Sequence, residues 1–235
     1  MVIRRSIFVV GFLVLAACAG TKKVPSPPLF DPGDVTVDGL YRVKDARMAA
    51  AYLRPGADLA SYDKVKLDLV SISYKSPPKG NQYDRSRANF PLTKEEIARA
   101  DKLFYEAFAE ELAKSSYQLV DQTGPDVLSL EAELIDLVVK APPQSTTGTS
   151  WVFVQSAGEL TLVAELHDSV TGATLARIAD RRAVQSPGAG AGGLYYSSPV
   201  SNWSDLRRVF SGWARQLREA LDEARALKAV SVTAN

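Results

Sequence analysis

The strongest constraint on the fold is a two-residue alternation that begins at Val127. Leu128, Leu130, Ala132 and Leu134 alternate with Ser129, Glu131 and Glu133. Successive side chains of a strand point to opposite faces, so this spacing predicts a strand over 127–139 with one face in a core and one in water. Two further stretches read the same way. Leu160, Leu162, Ala164 and Leu166 alternate with Thr161, Val163, Glu165 and His167, and Val65, Leu67 and Leu69 alternate with Lys64, Lys66 and Asp68. Asp168-Ser169-Val170-Thr171-Gly172 reads as a turn, with 174–184 returning as the partner strand. A short strand is expected within 117–121. Residues 41–53 fit either a helix or a strand.

Two helices accompany these strands. Thr93-Lys94-Glu95-Glu96 has the spacing of a capping box, and Ile97, Leu103, Phe104, Phe108 and Leu112 follow as one apolar stripe. A second helix is expected from about Trp203. Its stripe is Leu206, Val209, Phe210, Trp213, Leu217, Leu221 and Ala224. The expected fold is a single α+β domain over 38–235. It would be an antiparallel sheet of about four to five strands with two long amphipathic helices packed on it. Strands at 127–139, about 152–167 and 174–184 would run up, down and up. The loops 140–151 and 185–202 then lie at one end, where Trp151, Tyr195 and Tyr196 form either a binding rim or a plug on the core.

Composition excludes several kinds of chemistry. The chain has 235 residues with one Cys and one His, so neither an intrachain disulfide nor a Cys/His zinc site is expected. No metal and no cofactor is expected. Lys and Arg number 28 against 27 Asp and Glu, a formal charge of +1 that predicts no nucleic-acid partner. His167 precedes Asp168, but neighbouring strand residues face opposite ways, so the acid would orient the ring poorly. Gly188-Ala189-Gly190-Ala191-Gly192-Gly193 lacks the strand–helix context of a nucleotide loop, since Pro199 would interrupt a helix. Glu131 and Glu133 share a strand face and could bind a cation or serve as an acid/base pair. Dispersed carboxylates on a wet face read first as solubilising. Lys75, Lys79, Arg85 and Arg87 make one loop basic. No catalytic residue is expected, and the protein is not expected to be an enzyme.

The N-terminus predicts location. Arg4 and Arg5 precede an apolar run, Ile7 to Ala17, that is too short to span a bilayer. This pattern reads as an export signal. It ends in Leu15-Ala16-Ala17-Cys18-Ala19-Gly20, which resembles the bacterial lipobox. The resemblance implies that Leu15, Ala16 and Ala17 are read by the processing machinery, that Cys18 receives a diacylglyceryl group on its sulfur, and that cleavage precedes Cys18. The new amino group is then acylated. Residues 1–17 would be the signal peptide and 18–37 the lipidated cysteine and a proline-rich tether. The membrane is thus an expected partner through the N-terminal lipid. Ala19, where retained lipoproteins carry Asp, favours the periplasmic face of the outer membrane by the same resemblance.

A second resemblance covers nearly all of the mature chain. Its residues are Asp38-Gly39-Leu40, Tyr52-Leu53-Arg54-Pro55-Gly56-Ala57-Asp58-Leu59, Tyr62-Asp63-Lys64-Val65, Leu92-Thr93 and Gly124-Pro125-Asp126-Val127-Leu128. The chain resembles a family of proteobacterial lipoproteins defined only as a domain of unknown function. The resemblance implies a compact α+β body on a lipid anchor and no assigned catalytic residues. The expected function is a non-enzymatic accessory or binding protein of the cell envelope that engages an envelope protein or cell-wall component. The alternatives are a carrier that holds an apolar ligand or lipid between helices and sheet, and an envelope hydrolase using Glu131 or Glu133.

Overall fold

The computed structural model describes residues 30–74, 92–139, 153–154, 157–185, 195–196 and 198–233. In chain order the elements are strands β1 (Phe30–Val35), β2 (Tyr41–Val43) and β3 (Ala50–Leu53), a 3-10 turn at Leu59–Ser61, β4 (Lys64–Tyr74), helix α1 (Lys94–Leu112), β5 (Gln118–Leu119), β6 (Val127–Val139), β7 (Phe153–Val154), β8 (Gly158–Asp168), β9 (Thr174–Val184), β10 (Tyr195–Tyr196) and helix α2 (Pro199–Thr233).

The main sheet has eight strands in the order β1-β2-β3-β9-β8-β6-β4-β5. This corrects the expected antiparallel sheet of about four to five strands: the sheet is larger and mixed. β4 pairs in parallel with both β5 and β6, while β6, β8 and β9 form the expected antiparallel meander. The physical reason lies in α1. A helix between two neighbouring strands carries the chain back to its starting end, so the next strand runs the same way as the last. Alternation reports which face is buried and says nothing about direction.

The sheet also begins earlier than Asp38. Phe30–Val35, read as the end of a tether, pairs antiparallel with β2 at the sheet edge. It contains Pro32, a residue that an edge strand tolerates because one side of its backbone needs no partner. Residues 41–53 resolve as strands β2 and β3 rather than a helix. α1 has the capping box its sequence predicts: Glu96 N–H donates to Thr93 Oγ1 at 3.2 Å, and Thr93 N–H donates to Glu96 at 2.8 Å. α2 starts before Trp203. Pro199 opens the helix instead of interrupting it, since the first turn has no need of its N–H. Ser198 caps this end, its Oγ accepting from Ser201 N–H at 3.1 Å.

Both helices lie on the apolar face of the sheet. Leu128, Leu130, Leu162, Phe104, Phe108, Phe210 and Trp213 are fully buried there. Phe104 stacks on Phe108 with centroids 4.2 Å apart and meets Phe210 edge-on at 5.4 Å.

Candidate functional site

The apolar stripe of α2 does not seal against the sheet along its whole length. At Val209, Phe210 and Trp213 large side chains fill the space between helix and strands. Further along, the helix turns Ala220 and Ala224 toward β3 and β9, which oppose them with Ala51 and Ala176. Four small side chains leave a groove of about 510 Å³. Leu53, Leu166, Ile178, Leu217 and Leu221 give it aliphatic walls. The volume is within the range of ligand sites.

The charged lining residues, Lys44, Asp45, Arg47 and Glu223, are all exposed, on the turn between β2 and β3 and on α2. Arg47, on the turn joining β2 to β3, donates to Glu219 on α2 at 3.2 Å and also pairs with Glu223. The turn itself is fixed: Met48 is buried, and Ala49 N–H donates to Asp180 Oδ1 at 3.2 Å. Asp45 takes a positive φ of 53° there, a conformation its short polar side chain tolerates. Asp180 also anchors a polar node beside the groove. Its Oδ2 accepts from Trp213 Nε1 and Arg182 Nε, each at 2.8 Å.

The opposite face of the sheet is polar. Glu131 sits across from Glu165, and Ser129 across from His167. His167 Nε2 lies 3.3 Å from Glu165 and 3.8 Å from Glu131, while its Nδ1 is 3.3 Å from Thr174 Oγ1. The second oxygen of Glu165 accepts from Arg177 Nε at 2.6 Å, and Arg177 reaches on to Asp38 at 3.0 Å. Hydrogen bonding to Glu165 first, then to Asp38, raises the Arg177 pKa. Glu133 stands between Val163 of β8 and Ser71 of β4 in the register. Asp168 turns aside from His167. Its carboxylate accepts from Thr171 N–H at 2.7 Å and from the Tyr62 hydroxyl at 2.8 Å, which hold its pKa down at about 2. Burial first, then Asp168, pushes Tyr62 up to about 12. Among the described residues, no group of three or more His, Cys, Asp or Glu is placed to hold a metal.

Several residues singled out from the sequence lie outside the described residues: Leu15, Ala16, Ala17, Cys18, Trp151 and the cations of the loop after β4. Tyr195 and Tyr196 form β10, which pairs antiparallel with Val154 and Phe153 of β7, so the chain just after Trp151 runs beside them. The carrier alternative places an apolar ligand between helices and sheet, but the sequence does not single out the side chains that line the groove. The groove's one signal was alanine at 220 and 224 within an otherwise bulky helical stripe. Among the described residues no helix is long and apolar enough to cross a membrane.

Comparison with known proteins gives a family without an activity. No curated protein matches the sequence. Among solved structures, the chain is similar to the PelC dodecamer from Paraburkholderia phytofirmans at 12% identity and a TM-score of 0.36, over 72% of this chain and 96% of that one. It is also similar to a minor lipoprotein from Acinetobacter baumannii at 14% identity and a TM-score of 0.33, over 70% of this chain and 95% of that one. Alignments this loose transfer neither a site nor an assembly. The family model described as "Protein of unknown function (DUF3313)" matches residues 35–217, a span from the end of β1 through the aromatic contacts of α2, and the chain belongs to that family.

Proposed function

We propose that this protein is a lipid-anchored envelope lipoprotein that binds an apolar ligand in the groove between α2 and the sheet, without catalysing a reaction. Cys18 would hold it at the periplasmic face of the outer membrane. The observation that carries the reading is the 510 Å³ groove, with aliphatic walls and exposed charged lining residues. An open apolar groove holds aliphatic side chains against water, and a ligand that covers them gains about 25 cal/mol per Å² of apolar surface removed from water. The lipobox at Leu15–Cys18 supports the location and supplies the acyl chemistry.

Native mass spectrometry tests both parts. The membrane-extracted protein is expected at the mass of residues 18–235 plus lipid, and the mature chain carrying Cys18→Ser is expected to take up a noncovalent apolar species, which an Ala220→Trp change prevents. A chain with an intact N-terminus and no lipid would sink the location. Failure of the unlipidated Cys18→Ser chain to take up a fluorescent fatty acid would sink the ligand.

A second reading keeps the rim at Trp151, Tyr195 and Tyr196 as a contact for an envelope protein or cell-wall component. The pairing of β10 with β7 favours it, because it draws two loop ends together. Crosslinking and pulldown with and without Trp151→Ala tests it, and identical partner profiles would remove the rim.

A further inference from the structure

The chain enters the folded body beside the groove. Phe30 is the first residue of β1, and its register partner is Val43 of β2. Val43 lines the groove. Cys18 precedes Phe30 by twelve positions. An extended chain spans at most about 3.6 Å per residue, so Cys18 is held within about 43 Å of Phe30. A tether this short gives whatever is attached to Cys18 an effective concentration at the groove on the order of millimolar. A lipid free in the aqueous phase does not reach such a level.

We propose that the groove receives one acyl chain of the protein's own Cys18 lipid anchor. The proposal rests on the lipoprotein and apolar-ligand reading above and names the occupant. An acyl chain has no polar group along its length, which matches walls of Leu, Ile and Ala. Of the charged lining residues, Arg47 and Glu223 pair with each other, and Lys44 and Asp45 are exposed on the turn between β2 and β3. The resemblance to the lipobox implies three acyl chains, and stable anchoring takes two. One chain drawn into the groove therefore leaves the protein on the membrane and docks its body against the anchor, with the β1–β3 edge toward the lipid surface.

The native sequence has a single cysteine, and that thiol is consumed when the anchor forms, so a new thiol can report on the groove alone. Ala220 is exposed and lines the groove, which makes Ala220→Cys a mild change. The rate of alkylation by a small maleimide is measured in the lipidated protein held in an amphipathic polymer. The comparison is the same mature chain carrying Cys18→Ser and exported by a signal without a lipobox. Each is measured with and without added palmitate. The lipidated protein is expected to react at least tenfold more slowly, and palmitate is expected to slow only the unlipidated chain. Equal rates, both slowed by palmitate, would overturn the anchor as occupant and leave the apolar-ligand reading standing. Equal rates that palmitate does not change would overturn both.

Discussion

The indole Nε1 of Trp213 donates a 2.8 Å hydrogen bond to Oδ2 of Asp180 inside the interface between α2 and β9. Asp180 occupies a position on the helix-facing side of the sheet, in step with Ala176 and Ile178, where alternation calls for an apolar residue. It is kept there by three donors: Trp213, Arg182 and the backbone of Ala49. Arg182 in turn reaches Gln216 and lies over the Trp213 ring at 5.5 Å. This polar node ties α2, β9 and the turn that carries Arg47 into one unit beside the groove.

Asp180→Ala should cost about 2–3 kcal/mol, because it strands the Trp213 N–H and the Arg182 guanidinium together. Urea unfolding measures the loss. Asp180→Asn should cost less, since it still offers an oxygen to one of them. A loss under about 0.5 kcal/mol for the alanine change would show that the node is solvated.

Gly212 explains how Arg182 fits. A Cβ built there would lie 2.5 Å from Arg182 Nη1, at the end of a side chain already committed to Asp180 and Gln216. Alanine in a helix interior normally stabilises by about 1 kcal/mol over glycine. Gly212→Ala is therefore expected to destabilise the native protein and to stabilise an Arg182→Ala background by about that amount. A double-mutant cycle reads the difference. The same effect in both backgrounds would sink the idea.

Tyr62 and Asp168 predict a stability profile with two flanks. Ordinary values for unfolded Asp and Tyr are about 3.9 and about 10. Asp168 sits lower when folded, at about 2, so its contribution is complete above about pH 4 and is lost as pH falls toward 2. Tyr62 sits higher, at about 12, so its contribution is complete below about pH 10 and is lost as pH rises toward 12. Tyr62→Phe should flatten the alkaline flank and weaken the acid one. Denaturant midpoints across pH test this, and an unchanged profile would refute it.

Arg47 ties the turn between β2 and β3 to α2 beside the groove. Its ion pairs with Glu219 and Glu223 are solvent-exposed, so Arg47→Ala should cost less than about 1 kcal/mol of stability. It should nevertheless speed alkylation of the Ala220→Cys thiol at low salt. That gain should vanish near about 1 M salt, where the screening length is about 3 Å. A rate indifferent to both Arg47 and salt would mean the turn does not gate entry.

Much of the local structure was legible in the chain. The alternation at Leu128–Leu134 and Leu160–Leu166 placed β6 and β8, Thr93 and Glu96 placed the start of α1, and the spacing of Leu206 to Leu221 placed the buried stripe of α2. Each of these signals is short-range: a strand face, a cap and a helix stripe are set by residues within a few positions of one another. The wet face was legible too, since Glu131, Glu165 and His167 alternate with the core leucines, although the chain of contacts from Glu165 through Arg177 to Asp38 was not.

Direction, extent and empty space depend on distant residues. The parallel pairing of β4 with β6 follows from the path of α1, and the sheet's outer strands from pairing of β1 with β2 and of β3 with β9, none of which alternation encodes. Pro199 could open α2 because a helix's first turn needs no proline N–H, a matter of where the helix starts. The groove exists because Ala51, Ala176, Ala220 and Ala224, far apart in the chain, face one another across a helix–sheet interface. Local patterning fixes which side chains seek the core and where most segments begin. The tertiary structure alone decided which of them fail to fill it, because a void is a property of opposed surfaces rather than of any one segment.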